Sequence, residues 1–411
     1  MGLGKQEDSV LRITKGSIFL MAHRHGGDIY TYRNAADFSA NINFRGMPAS
    51  VHEAAVRAID ASVHYPDPDC RALRYALAVR EESFYGTAGV YPEHMICGNG
   101  AAELMFALVG ACRPRKALLA VPSFFEYEQA LSAAGCEIVY FELKPEQDFT
   151  LGKDFLESVC DFSEKRVYPD LLSNPVSGQG IQMSGRLSDR DMVILGNPNN
   201  PTGQLIEKEI LAKLIRICRE RHILLVLDES FFDFLSEADR AETFSGSACM
   251  EGNPDLFVIR SFTKMYAMPG LRFGYGLCAD KSLLNIMRQQ LQPWNVSLVA
   301  QEAATAAAAE YEFARESAAL TAQNREIMEA ELRRAGFSVC SSCANFLLLR
   351  APEGLADICL ESGFLIRDCG NFPGLCRNGN GWAYFRVCVR SREENEALLR
   401  AMQRVYAVHE K

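Results

Sequence analysis

The sequence predicts an α/β protein with a mostly parallel sheet. Between residues 117 and 278, short apolar runs alternate with longer segments whose apolar residues recur at helical spacing. Several of the runs are continuous stretches of Val, Ile and Leu, as is typical of strands that are covered on both faces. Alternation of such strands with helices is the pattern of a sheet that carries helices on its two faces.

The predicted elements follow in a regular order. A helix is expected at Ala101–Cys112 and another at Glu207–Arg221. The strands of this region are expected at Ala117–Val121, Glu137–Leu143, Met192–Gly196, Ile223–Asp228, Leu256–Arg260 and Arg272–Cys278. The stretch Thr150–Arg190 interrupts the alternation, and its second half, Asn174–Asp189, is rich in Gly, Ser and Asn and is therefore predicted to be a loop.

After Trp294 the pattern changes to a separate α+β unit. An Ala-rich segment predicts one long helix over about Val296–Arg334. The remaining elements are expected to be a strand, a helix, two strands and a final helix, with the strands at Asn345–Leu349, Phe364–Arg367 and Ala383–Val389 and the last helix at Glu393–Val405.

Composition narrows the possible functions. The 411 residues include 43 Lys and Arg against 52 Asp and Glu, so the formal net charge is −9, which argues against a general nucleic-acid binder. No run approaches the roughly 18 apolar residues of a membrane span. The apolar run Ser17–Ala22 follows Glu7 and Asp8, unlike a secretory signal. The fourteen cysteines are scattered, and we expect reduced, buried thiols and a cytoplasmic protein. Only Cys340 and Cys343 form a C-x-x-C pair, too little for a zinc site, so no metal is predicted.

Four motifs carry the chemistry, and each follows or ends a predicted strand. They are Gly98-Asn99-Gly100-Ala101-Ala102-Glu103, Asn197-Pro198-Asn199-Asn200-Pro201-Thr202-Gly203, Asp228-Glu229, and Ser261-Phe262-Thr263-Lys264 with the following Pro269-Gly270-Leu271-Arg272. Taken singly, such motifs are often a turn, a rigid loop, a cap or a solvated charge. Together they lie where an open α/β sheet binds ligands, outside the carboxyl ends of its strands.

The residue types fit a pyridoxal-phosphate site. Lys264 is the candidate for the lysine that bonds to the cofactor's aldehyde. Asp228 is the candidate for the acid that keeps a proton on the pyridine nitrogen. Asn200 can donate to the phenolic oxygen of the ring, and Phe124 can stack on the ring face.

The same motifs supply a phosphate cup. A helix N-terminus with small residues, such as Gly100-Ala101, offers backbone N–H groups to a dianion. The hydroxyls of Ser261 and Thr263 and the guanidinium of Arg272 are expected to complete the cup.

The order and the residues of these motifs resemble those of the fold-type I aminotransferases, close to the histidinol-phosphate aminotransferases. The resemblance extends from about His25 to Val405. Four segments further resemble the threonine-phosphate decarboxylase branch of the cobalamin pathway: His25–Tyr30, Asp37–Asn43, Leu365–Leu375 and Phe385–Arg390. Histidinol-phosphate aminotransferases usually carry Gly where this chain has Arg390 and Tyr where it has Phe231. The Tyr hydroxyl contacts the phenolic oxygen of the cofactor in transaminases, which Phe231 cannot do.

The resemblance implies an architecture and an assembly. A large domain with a mostly parallel seven-stranded sheet between helices is expected over residues 61–295, and a small α+β domain over 296–411. Residues 1–60 would form an N-terminal arm and part of the small domain. Tyr65 matches a tyrosine that reaches the cofactor phosphate of a partner subunit, which implies a homodimer. Residues 1–22 and an expanded stretch around 150–190 depart from the family pattern.

The resemblance also implies substrate contacts. Arg386 is the expected anchor of the substrate carboxylate and Arg367 a second contact, because the planar fork of Arg suits carboxylate and phosphate. His25, Gly26 and Asn41 match a substrate-contacting loop, and Asn200 is expected to contact the substrate as well as the cofactor. The structural alternatives are surface ion pairs for the arginines and a capping histidine for His25.

The implied reaction is decarboxylation of L-threonine O-3-phosphate to (R)-1-amino-2-propanol O-2-phosphate for the nucleotide loop of cobalamin. Three alternatives stay open: decarboxylation of O-phospho-L-serine to ethanolamine phosphate, a histidinol-phosphate-type aminotransferase, and a non-catalytic regulator. Phe231 and Arg390 favour decarboxylation over transamination. One methyl group is worth only roughly 1–3 kcal/mol in a pocket, so the choice between phosphothreonine and phosphoserine is open. A regulator would usually carry an added DNA-binding domain, and Asp228, Lys264 and Arg272 are all retained.

Overall fold

A computed structural model of the chain describes residues 25–162, 190–377 and 379–405. The predicted N-terminal extension, residues 1–22, and the predicted loop at 174–189 lie outside the described residues. Within the described ranges, no helix is both long and apolar enough to cross a membrane.

The strands form three sheets. They are β1 Ala36–Asp37, β2 Met95–Gly98, β3 Lys116–Val121, β4 Glu137–Glu142, β5 Met192–Gly196, β6 Leu224–Asp228, β7 Leu256–Ser261, β8 Gly274–Cys278, β9 Ser338–Val339, β10 Phe346–Pro352, β11 Phe364–Leu365, β12 Arg367–Asp368 and β13 Trp382–Cys388. In the described chain, the large sheet has seven strands in the order β2-β8-β7-β6-β5-β3-β4. Strand β8 runs antiparallel to β2 and β7, and the other neighbouring strands are parallel. The predicted α/β class with a mostly parallel sheet is confirmed.

Both faces of the large sheet are buried. In β5, Val193 and Leu195 pack into one apolar core, and Met192 and Ile194 into a second core on the other face. Successive side chains of a strand point to opposite faces, so a strand covered on both sides must be apolar throughout. This explains why the sequence of β5 is an unbroken apolar run rather than an alternating one.

Helices cover the sheet and extend the chain beyond it. They are α1 Ala49–Asp60, α2 Arg71–Tyr85, α3 Ala101–Cys112, α4 Phe125–Ala133, α5 Lys153–Phe162, α6 Lys208–Arg221, α7 Glu237–Glu242, α8 Phe262–Met265, α9 Lys281–Gln290, α10 Leu298–Ala308, α11 Tyr311–Arg334, α12 Leu355–Glu361 and α13 Arg392–Met402.

The single long helix expected over Val296–Arg334 is wrong, because it is two helices. Helix α10 ends at Ala308, and Glu310 has non-helical backbone angles (φ −82°, ψ 61°) before α11 begins. The Glu310 carboxylate accepts a hydrogen bond from the Ser50 hydroxyl at the start of α1. Neither Gly nor Pro marks this break, so a tertiary contact accompanies it where the local sequence gives no signal.

The smaller sheet has the order β12-β13-β10-β9 and buries an apolar core of its own. Phe38, from the N-terminal segment, belongs to that core. The strand expected over Phe364–Arg367 is divided at the buried Ile366. Its first part pairs with β1 and its second part with β13, so the chain passes from one sheet to another there. The proposed domain limits at residues 60 and 295 stay a prediction.

Candidate active site

A cavity of about 250 Å³ lies where the strands of the large sheet meet the smaller sheet and the N-terminal segment. It brings together most of the residues that the sequence analysis selected. Those that line it are His25, Gly26, Asn41, Ala101, Phe124, Asn200, Asp228, Ser261, Thr263, Lys264, Arg272, Arg367 and Arg386. Residues that are far apart in the chain therefore form one site.

The phosphate cup is built from the N-terminus of α3 and the segment before β8. Ala101, the first residue of α3, lines the cavity. Gly100 precedes it at φ 89°, and a Cβ built on Gly100 would lie 2.6 Å from Nη2 of Arg272. A Cβ on Gly274 would lie 2.7 Å from the backbone N of Ala101. The two glycines therefore permit the guanidinium of Arg272 and the helix N-terminus to approach each other.

Two hydroxyl residues stand at the end of β7. The Ser261 hydroxyl accepts a hydrogen bond from the backbone N of Thr263 at 3.3 Å, which begins the short helix α8. Both side chains line the cavity, as Arg272 does. With the free N–H groups of α3 they form a binding surface for a dianion.

Lys264 lies in α8 and lines the same cavity. Its backbone is held from outside the large sheet, since the backbone N of Asn43 donates to its carbonyl oxygen at 3.0 Å. Burial lowers the pKa of Lys264 to about 8, with the cations Arg386 and Arg272 contributing in the same direction. An amine with a lowered pKa is more often neutral, and the neutral form is the nucleophile toward an aldehyde.

Asp228 ends β6 and is fixed by two donors. The Tyr127 hydroxyl donates to Oδ2 at 2.7 Å, and the backbone N of Ser230 donates to Oδ1 at 2.9 Å. Burial raises the pKa of Tyr127 well above its ordinary value, with the neighbouring Asp228 carboxylate acting in the same direction. Tyr127 is therefore a lasting hydrogen-bond donor. Tyr127 was not among the residues predicted from the sequence, although it lies three positions after Phe124.

Arg386 is buried in the opposite part of the cavity. It donates to Oδ1 of Asn200, and through Nη2 to the carbonyl oxygen of Ser39 at 2.8 Å. Its Nε is buried without a hydrogen-bond partner among the described residues. Burial lowers the pKa of Arg386 to about 10, which reflects a guanidinium that lacks a compensating anion.

Arg367 lies next to Arg386, because β12 and β13 pair these two residues directly. It donates to Oδ1 of Asn371 at 2.8 Å, and burial lowers its pKa as well. No carboxylate of the described residues lies within 4.0 Å of either arginine. Two adjacent cations without a counter-ion form a ready binding site for an anionic ligand.

The N-terminal segment closes this part of the cavity. His25 and Gly26 line it, and the buried Oδ1 of Asn41 has no hydrogen-bond partner among the described residues. The carboxylate of Glu126, in the first turn of α4, lies 3.4 Å from Nδ1 of His25. Glu126 was not selected from the sequence, because an acidic residue in the first turn of a helix is common on electrostatic grounds alone.

Two selected residues lie apart from the cavity wall. Gly100 precedes Ala101 in the chain and packs against the guanidinium of Arg272. Tyr65 is 78% exposed and stacks on Trp294 with ring centroids 4.5 Å apart. The structure contains one chain, so the contact expected between Tyr65 and a partner's site stays a prediction. No group of three or more potential metal ligands occurs in the described part of the chain.

The side chains present fit pyridoxal phosphate. A dianion cup, a carboxylate held by two donors and a lysine of lowered pKa face one cavity, with Phe124 in its wall. The orphaned Nε of Arg386 and Oδ1 of Asn41 provide unused polar atoms for a further ligand. Such a fold and site define the class of pyridoxal-phosphate-dependent enzymes with a mostly parallel central sheet.

The comparisons with known proteins agree with this class. The sequence pattern described as aminotransferase class I and II matches residues 33–402, so the chain belongs to this family of pyridoxal-phosphate enzymes. It is 34% identical to the threonine-phosphate decarboxylase of Salmonella typhimurium, over 93% of this chain and 96% of that protein.

One further curated protein and one solved structure are also similar to this chain. The adenosylcobalamin biosynthesis bifunctional protein CobDQ of Leptospira interrogans is 27% identical over 93% of this chain and 41% of that protein. Among solved structures, the histidinol-phosphate aminotransferase of Clostridium acetobutylicum superposes with a TM-score of 0.73 at 28% identity, over 90% of this chain and 99% of that one.

Proposed function

We propose that this enzyme decarboxylates L-threonine O-3-phosphate to (R)-1-amino-2-propanol O-2-phosphate, which serves the nucleotide loop of cobalamin. The observation that carries the proposal is the pair of buried arginines without counter-ions, Arg367 and Arg386, facing the same cavity as Lys264. A substrate with both a carboxylate and a phosphate supplies the two missing anions. The threonine-phosphate decarboxylase of Salmonella typhimurium, which is 34% identical over most of both chains, supports the same substrate class.

When bound, the cofactor would supply an electron-accepting ring for the substrate's reacting bond. Asp228 holds a proton at the pyridine nitrogen, and Tyr127 and Ser230 keep the carboxylate in place. Ser261, Thr263, Arg272 and the N-terminus at Gly100-Ala101 bind the cofactor phosphate. Phe124 would cover one face of the cofactor ring, and Asn200 would donate to its phenolic oxygen.

Substrate orientation decides which bond to Cα breaks. Arg386 binds the carboxylate, and Arg367, His25, Gly26 and Asn41 bind the substrate phosphate. Binding both anionic ends fixes the direction of the Cα–carboxylate bond in the cavity, so that this bond, rather than Cα–H, would be the one placed to break with loss of carbon dioxide. Lys264 then delivers a proton from Nζ to Cα.

Phe231 separates this reaction from transamination. Its ring lines the cavity and packs edge-on against Phe346, with centroids 5.0 Å apart. A phenyl ring offers no hydroxyl to the phenolic oxygen of the cofactor, where histidinol-phosphate aminotransferases usually have a tyrosine. The site therefore favours decarboxylation over the aminotransferase alternative.

The proposal extends to assembly and location. An exposed aromatic pair, Tyr65 with Trp294, suits a contact with a second copy of this chain. In a homodimer Tyr65 would bind the partner's cofactor phosphate. All fourteen cysteines lie in the described residues without a disulfide, which supports the reducing environment of the cytoplasm.

The function is tested by supplying three substrates to the purified holoenzyme. O-phospho-L-threonine should release carbon dioxide without any keto acid, whereas O-phospho-L-serine and histidinol phosphate with 2-oxoglutarate should be poor substrates. Formation of glutamate without carbon dioxide would identify an aminotransferase, and faster turnover of phosphoserine would change the assigned substrate. In Lys264→Ala, the absorbance band of the lysine-bound cofactor should vanish, and turnover should fall by at least about a thousandfold.

A further inference from the structure

Glu126 is an acidic side chain in a part of the cavity that is otherwise cationic. Among the described lining residues, the carboxylates are Glu126 and Asp228, and Asp228 belongs to the cofactor side. The side chain of Glu126 is only 14% exposed, and its Oε2 is buried without a hydrogen-bond partner in the described chain. Burial raises the pKa of Glu126, while His25, Lys264 and Arg367 act in the opposite direction.

A carboxylate at this place opposes the binding of an anionic substrate. Two like charges a few ångströms apart repel strongly where water is partly excluded. The arginines nearby have no need of Glu126 as a counter-ion, because the substrate provides anions for them. Glu126 must therefore act through a contact of its own.

That contact is with His25. Oε1 of Glu126 lies 3.4 Å from Nδ1 of the imidazole, whose side chain is 61% exposed. The backbone around His25 is fixed independently, since the N of Gly27 donates to the Ser39 hydroxyl at 2.7 Å. A Cβ on Gly26 would lie 2.3 Å from the carbonyl oxygen of Ser39, so the segment packs closely there. The main chain is anchored, and the Glu126 carboxylate restrains the ring.

We propose that Glu126 is the positioning residue of the substrate-phosphate site and acts through His25. Its carboxylate contacts Nδ1, restrains the ring at the mouth of the cavity and leaves Nε2 to donate to the phosphate. Carboxylates that hold the far nitrogen of a functional histidine act in this way at other sites. This inference rests on the proposed function, which supplies the phosphate that His25 binds.

The pairing also gives a reason for the acidic charge. The imidazole stands between the Glu126 carboxylate and the substrate phosphate, so the ring separates the two anions. Without Glu126, the exposed ring of His25 can rotate into solvent, so that Nε2 no longer faces the substrate phosphate. The net effect of the carboxylate is then favourable to phosphate binding, despite the direct repulsion.

The test measures binding and turnover in Glu126→Gln, His25→Ala and the double variant, each as holoenzyme. Dissociation constants for O-phospho-L-threonine and for L-threonine are read from the change in the cofactor's absorbance, and kcat and KM from carbon dioxide release. We expect Glu126→Gln and His25→Ala each to weaken O-phospho-L-threonine about tenfold, with L-threonine unchanged. The double variant should bind no more weakly than His25→Ala alone, because the two residues act as one unit.

Glu128→Gln is the matched control. Glu128 lies on the same helix and does not line the cavity. It should bind both ligands as the unchanged enzyme does. The proposal is overturned by additive losses in the double variant, by equal weakening of L-threonine, or by a fall in kcat at constant KM, which would place Glu126 at the reacting atoms. If the unchanged enzyme binds O-phospho-L-threonine without releasing carbon dioxide, the proposed function fails while the binding cycle still tests the Glu126–His25 pair.

Discussion

Two pairs of buried arginines lie close to the cofactor site and differ in their partners. Arg260 contacts Glu81 at 2.9 Å and Glu229 at 3.2 Å, and Arg80 contacts Asp233 at 3.1 Å. Arg367 and Arg386 contact amide and carbonyl oxygens but no carboxylate of the described chain. The first pair is internally neutralised, and the second is left with positive charge facing a cavity.

The pKa shifts follow this difference. The pKa of both arginines rises above its ordinary value although burial opposes it. For Arg80 the neighbours Tyr266, Tyr85 and Asp233 outweigh burial, and for Arg260 the neighbours Glu81, Tyr85 and Glu229 do so. For Arg367 and Arg386 burial dominates and the pKa falls. A buried arginine that is paired with carboxylates stabilises the folded state, whereas a buried arginine without them is available to bind an anionic ligand.

The paired cluster stands directly behind the site. Arg260 precedes Ser261 on β7, and neighbouring residues of a strand point to opposite faces. Glu229 likewise follows Asp228, and burial raises the pKa of Glu229 to about 7. The chain thus alternates a ligand-binding residue with a structural one at both strand ends.

The largest effect on stability is expected from Arg260→Met. Removal of this guanidinium leaves Glu81 and Glu229 buried without their cation, and breaking a buried pair in this way costs about 3–5 kcal/mol. Urea denaturation should show that loss in the free energy of unfolding. The matched change, Arg386→Met, leaves no buried carboxylate without its cation and only deprives the acceptors on Asn200 and Ser39 of a donor, so it should cost less, about 1–2 kcal/mol. Equal losses in the two variants would contradict the distinction between the pairs.

The next effect concerns activity and falls on the unpaired arginines. Arg386→Lys keeps the charge but loses the planar fork, and an ammonium cannot bind a carboxylate through two parallel hydrogen bonds. We expect kcat/KM for O-phospho-L-threonine to fall about a hundredfold, with the unfolding free energy preserved. Steady-state kinetics and urea denaturation on the same preparation separate the two quantities. A variant that retains full activity would show that Arg386 is not the carboxylate anchor.

The sequence allowed the cofactor side of the site to be predicted because each of its residues lies at a strand end or at a helix start. Ala101, Asp228, Ser261 and Lys264 are near such boundaries, and an open parallel sheet brings these ends together. The strand positions could be predicted from continuous apolar runs, because strands that are covered on both faces must be apolar throughout. Fold and cofactor site are therefore encoded locally.

The substrate side depends on contacts over long sequence distances. The packing of separate segments decides whether an arginine such as Arg260 or Arg386 contacts a carboxylate. The residues next to the arginine in the chain do not predict this packing. Glu126 is one example, since its contact with His25 joins α4 to the N-terminal segment. The break at Glu310 is another, because it coincides with a contact to Ser50 in a distant helix. In both cases the deciding partner is remote in the chain.

The smallest effect is expected at an arginine that is paired but exposed. Arg392 begins α13 and contacts Glu396 one turn later at 3.0 Å, with 65% of its side chain exposed. Water screens this pair, and a cation at a helix N-terminus interacts unfavourably with the helix dipole, so the two contributions oppose each other. Arg392→Ala should therefore change the unfolding free energy by less than about 0.5 kcal/mol, with kinetics unaltered. Urea denaturation at low and high salt measures this change. A loss comparable to that of Arg260→Met would mean that pairing alone, rather than pairing combined with burial, determines which arginines stabilise the fold.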